Sequence, residues 1–119
     1  MIYLALSEAI FQKIKELLER EDIEYKRIDD GESLFELSKK SRPDLIILEK
    51  DIPLLDGFAT TLLLKSEEKT KEIPVVTICN CRYVEEEVKA RDCGSDAIIA
   101  YPFEEEELLK ILKEFLKGR

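Results

Sequence analysis

The run Leu45-Ile46-Ile47-Leu48 constrains the fold more than any other segment, because four consecutive aliphatic residues leave a short strand no polar side to turn to water. A strand of that kind is covered on both faces, as the inner strands of a parallel sheet are. Around it, short apolar runs alternate with helix-period segments five times. Residues 2–6 read as a strand, followed by Ser7 as an N-cap and a helix with Ile10, Ile14, Leu17 and Leu18 on one face. Residues 23–28 alternate more and read as an edge strand. Asp29-Asp30-Gly31 is turn chemistry, and Leu34, Phe35 and Leu37 carry a short helix that Arg42-Pro43 ends. Residues 57–68 form a third helix. Val75–Cys79, introduced by Pro74, is a fourth strand and Ala97–Ala100 a fifth. The helix between them, Val84–Asp92, has only Val84 and Val88 at core spacing, with Glu85, Glu86 and Glu87 between, and is the least anchored of the five. Residues 104–117 make a strong last helix, with Leu108, Leu109, Leu112, Phe115 and Leu116 inward and four leading glutamates suited to the positive end of the helix dipole.

Strands and helices in strict alternation, with short connections, imply an α/β fold: a doubly wound parallel sheet covered on both sides. With five units the natural strand order is flavodoxin-like, 2-1-3-4-5, and residues 1–119 read as a single domain. In that order a site forms beyond the carboxyl ends of the strands, where the first and third part company. The residues delivered there are Ala5, Leu6, Ser7, Glu49, Lys50, Asp51, Cys79, Asn80 and Tyr101.

Composition excludes several classes of function. The formal net charge is −8, whereas nucleic acid and anionic lipid both require a basic surface. No apolar run approaches the roughly 18 residues that a spanning helix needs, and no basic-then-apolar leader opens the sequence, so a cytoplasmic location is expected. Histidine is absent, and Cys79, Cys81 and Cys93 form no C-x-x-C, so neither a metal site nor a cofactor is expected. Cys79 reads as a free thiol buried in an apolar strand.

Five landmarks in order give the sequence a family resemblance: residues 43–48, the turn from Pro53 to Asp56-Gly57, Ile73-Pro74-Val75-Val76, Gly94-Ser95-Asp96, and Pro102-Phe103. Together they resemble a response-regulator receiver domain of the chemotaxis-regulator kind, over nearly the whole chain. The resemblance implies that Glu49 stands where the family has its phosphoacceptor aspartate. The acidic pair that holds magnesium matches Ala5 and Leu6, or Leu6 and Ser7. The hydroxyl that ends the fourth strand matches Cys79, the pocket lysine matches Tyr101, and the coupling aromatic matches Ile98. It also implies a cis Tyr101-Pro102 bond, aiming Tyr101 toward the pocket mouth beside Glu49.

Phosphoryl transfer depends on neutralising charge at the equatorial oxygens with a metal and a cation. The matched positions supply neither. The sequence therefore reads as a degenerate receiver: a pseudo-receiver that is not an enzyme and acts in two-component or phosphorelay-type signalling as a phosphorylation-independent interaction module. Glu49 would be a carboxylate hydrogen-bonded at a strand end, with Lys50, Ser7 or backbone N–H groups nearby. As a phosphomimic it would carry one charge where phosphate carries nearly two. Two alternatives stay open, a phosphorylatable receiver with a rearranged acceptor at Asp51 or Asp56, and a thiol redox sensor at Cys79 and Cys81. By resemblance, a protein partner, or a second copy in a homodimer, would dock on the fourth helix, fifth strand and fifth helix, through Glu86, Lys89, Ala90, Ile99, Glu105 and Glu106.

Overall fold

The computed structural model describes residues 1–79 and 84–116. Five strands alternate with five helices: β1 (Ile2–Ala5), α1 (Glu8–Arg20), β2 (Tyr25–Arg27), α2 (Gly31–Lys40), β3 (Leu45–Glu49), α3 (Gly57–Ser66), β4 (Val75–Cys79), α4 (Val84–Asp92), β5 (Ala97–Ala100) and α5 (Glu105–Phe115). The strands form one parallel sheet in the order β2-β1-β3-β4-β5. This is the flavodoxin-like, doubly wound arrangement expected from the alternation. Among the described residues, no helix is long and apolar enough to cross a membrane.

Strand alternation divides the core into two layers. Ile2, Leu4, Leu45, Ile47, Val76 and Ile78 point to one face, where α1 and α5 cover them with Ile14, Leu17, Leu18, Leu108 and Leu112. Tyr3, Ala5, Ile46, Leu48 and Val75 point to the other, packed with Leu34 of α2 and Leu64 of α3. All four residues of the run at 45–48 are fully buried, the consequence of a strand with neighbours on both edges and helices on both faces.

Helix starts are set by local chemistry. Asp30 caps α2 by accepting from the Ser33 N–H, and Asp56 caps α3 by accepting from the Ala59 N–H at 2.8 Å. Ser7 occupies the N-cap position of α1, but its hydroxyl makes no capping bond. The Tyr101–Pro102 bond is cis.

One helix departs from its expected orientation. Val84 and Val88 of α4 are 73% and 48% exposed, while Ala90 is fully buried. The inward row of α4 is thus Glu86 and Ala90, one turn apart, rather than the valines. A small residue lets the helix approach the sheet, and the Glu86 carboxylate is met by Lys50 at 2.9 Å, which removes the penalty that apolar periodicity assigns to an inward acid. Two of the residues expected on the docking face, Ala90 and Ile99, are therefore core. Ile99 is 2% exposed because it sits at an inward position of β5 opposite Ile78.

Candidate functional site

The register fixes what stands at the carboxyl end of the sheet. Ala5 pairs with Leu48, Glu49 with Ile78, and Cys79 with Ala100. Glu49 shares the parity of Leu45 and Ile47, so its side chain points to the α1 side. There its Oε1 accepts a hydrogen bond from the backbone N–H of Ser7, the residue that opens α1. The carboxylate thereby places negative charge at the positive end of α1 and satisfies the N–H of its N-cap residue. Gly57 closes the back of the site. Its N–H donates to the Lys50 carbonyl at 2.8 Å, and a Cβ there would lie 2.3 Å from the Glu49 carbonyl oxygen, so only glycine lets α3 start this close.

At the end of β1, where the resemblance places an acidic pair, Ala5, Leu6 and Ser7 supply no acid. Ala5 and Leu6, at 1% and 6% exposed, are core residues in opposite layers. Ser7 presents its N–H to Glu49. Asp51 is exposed in the loop after β3, and Asp56 is engaged as the cap of α3. Among the described residues, no three His, Cys, Asp or Glu side chains converge as a metal would require. Magnesium demands hard oxygen ligands in near-octahedral array, and an aliphatic and a hydroxyl side chain at positions 6 and 7 do not fit it.

Cations on the flanking elements are held by other partners. Lys50 pairs with Glu86, which holds its ammonium above the usual lysine range, chiefly through the hydrogen bond and then through charge attraction. Lys13 of α1 donates to the Phe103 carbonyl at 2.5 Å and lies 4.5 Å from the centre of the Phe103 ring. Arg27 donates to Glu8 at 2.7 Å and to the Leu6 carbonyl at 3.2 Å, and stacks 4.2 Å over Phe11. Its contact, after that of Gln12, keeps the Glu8 carboxyl below its ordinary range.

Tyr101, at the lysine position, is half-buried. Its ring packs against the α1/α5 layer, edge-on to Phe103 at 6.0 Å, with Lys13 at 5.9 Å. These contacts give it a packing role on the α1 side of the turn, the side to which Glu49 also points. Cys79 is 3% exposed, as expected of a core residue, but it is disulfide-bonded and not free. Cys93 is a free thiol. Asn80, expected at the site, and Cys81, expected in the thiol-sensor alternative, lie outside the described residues.

On the docking face, Glu86 is tied to Lys50, Glu105 to Arg20 at 2.5 Å, and Lys89 lies 5.6 Å from the Phe58 ring centre. Lys89, Glu105 and Glu106 are exposed.

The sequence pattern of the response regulator receiver domain matches residues 7–113. The chain belongs to that family. It is 26% identical over 110 residues to the polar-differentiation response regulator DivK of Brucella anthropi, covering 92% of this chain and 89% of DivK. It is 31% identical over 81 residues to the DNA-binding dual master transcriptional regulator RpaA of Synechocystis, covering 68% of this chain but only 34% of RpaA. In structure it resembles the signal receiver domain of a signal transduction histidine kinase from Syntrophus aciditrophicus, with a TM-score of 0.90, 26% identity, and 98% and 89% of the two chains covered. The chain is thus a receiver domain of the two-component signalling family.

Proposed function

We propose that this receiver works without phosphorylation, as a protein-interaction module whose output is set by binding alone. The observation that carries the reading is the state of residue 49. At the position matching the acceptor stands a glutamate whose carboxylate is bonded to the Ser7 N–H. Around it Leu6 is core, Lys50 is paired to Glu86, and Tyr101 packs on Phe103. A phosphoryl group placed there would meet neither a metal ligand set nor a committed cation, and positioning plus charge neutralisation is nearly all the catalysis such a site has. Asp56 as a rearranged acceptor is disfavoured by its capping bond to α3. Residues 1–119 act in this reading as one domain, in the cytoplasm, and the exposed Lys89, Glu105 and Glu106 provide a polar docking face on α4 and α5. The test is incubation with acetyl phosphate and magnesium followed by intact mass measurement. No phosphoryl adduct is expected, and an adduct mapped to Glu49, Asp51 or Asp56 would overturn the proposal.

A second reading, a thiol sensor at Cys79 and Cys81, is favoured by one observation: the disulfide at Cys79. Thiol titration before and after mild reduction tests it. Release of thiols with a change in partner binding would support the sensor, and unchanged binding would reduce the bond to a structural one.

A further inference from the structure

The polar attachment of α4 sets it apart from the other helices. Five side chains of α1 are buried and two of α5, whereas among the residues of α4 only Ala90 is buried. Val84 and Val88 face solvent. Apart from Ala90, the side-chain contacts that join the helix to neighbouring elements involve charge: Glu86 takes Lys50 at 2.9 Å, and the Lys89 ammonium lies 5.6 Å from the centre of the Phe58 ring. Lys50 itself lies 6.0 Å from the same ring, so one aromatic side chain at the start of α3 is flanked by both lysines. The side chains of the ion pair are 37% and 27% exposed, close enough to water to be screened and enclosed enough for the pair to matter.

We propose that α4 is a charge-held strap: the Lys50–Glu86 pair latches it to the loop that follows Glu49, and competition for Lys50 by salt or by an anionic group releases it. The latch residue directly follows the acceptor-matched position, so the strap couples the site end of β3 to the α4 surface through one ion pair. Its use in partner binding rests on the reading of that surface as a docking face, but the latch does not.

The experiment is hydrogen exchange on the whole chain at neutral pH, in low salt and in about 1 M sodium chloride, where the screening length falls to about 3 Å. The amides of α4 should exchange roughly two- to fivefold faster in high salt, the range expected for loss of an exposed to half-buried ion pair. Lys50→Met and Glu86→Gln should each raise the low-salt rate to the high-salt value and abolish the salt response. The reversed pair Lys50→Glu with Glu86→Lys should restore it. Unchanged protection of β3 shows in each sample that the fold is intact. Exchange of α4 that is indifferent to salt in the unaltered chain, or a salt response that survives both single substitutions, would overturn the proposal. Neither result bears on whether the site is phosphorylated, so failure here is distinguishable from failure of the proposed function.

Discussion

The Glu49 carboxylate accepts a hydrogen bond from the backbone N–H of Ser7, joining the end of β3 to the start of α1 across the mouth of the sheet. In this receiver the acceptor-matched side chain is therefore part of the scaffold. Removing it leaves the Ser7 N–H at the start of α1 without this acceptor, at a helix end where the Ser7 hydroxyl makes no capping bond either. Glu49→Ala should cost about 1 kcal/mol, in line with the loss of a capping acid. Glu49→Asp should cost nearly as much, because its carboxylate is one methylene short of the Ser7 N–H, and Glu49→Gln should cost less. Urea unfolding with an unchanged slope is the check. Equal midpoints for all four proteins would show that the bond contributes nothing.

Leu54 has φ +65° and is 77% exposed, so a γ-branched side chain holds a left-handed conformation with little packing in return. Leu54→Gly should relieve that strain and stabilise the protein by up to about 1 kcal/mol. A lower urea midpoint for the variant would mean that Leu54 makes contacts which outweigh its backbone cost.

Much of this architecture was legible in the sequence, because apolar run length and helix periodicity report burial directly. The run at 45–48 announced a doubly covered strand, and its four residues are fully buried. The order of five units gave the sheet. The orientation of α4 was not legible, since periodicity weighs valine above alanine and cannot see that Glu86 has a cation waiting at Lys50. Ala90 and Ile99 were carried onto a docking surface by family resemblance, which does not report the burial of individual side chains, and both are core. At the site, the parity of residue 49 was readable, but its partner was only one of several near candidates. The disulfide at Cys79 and the packing of Tyr101 on Phe103 and Lys13 depend on loop paths that no local pattern encodes.

Cys93 offers a pH-dependent test of the packing near the end of α4. Burial pushes its thiol above the ordinary range, against a smaller opposing pull from Lys89. A folded pKa above the unfolded one means that folding favours the protonated thiol, so the associated stability is present below the unfolded pKa and lost as pH rises through the folded one. Because the thiolate is the nucleophile, alkylation of Cys93 near pH 8 should be slower in the native protein than in urea. Equal rates in the two states would contradict the shift.

The central claim, a receiver site without phosphoryl chemistry, is tested most directly by isothermal titration of the protein with magnesium and beryllofluoride, the stable mimic of the acyl phosphate. The same titration on Glu49→Asp asks whether the acceptor alone is what the site lacks. With Leu6 in the core, Ser7 bonded to Glu49, and Lys50 held by Glu86, neither protein should show saturable heat. Restoration should require acids at position 6 and its neighbour together with Tyr101→Lys, because the catalytic groups act as a set. Saturable binding to the unaltered chain that is lost in Glu49→Ala, or binding restored by Glu49→Asp alone, would contradict the account.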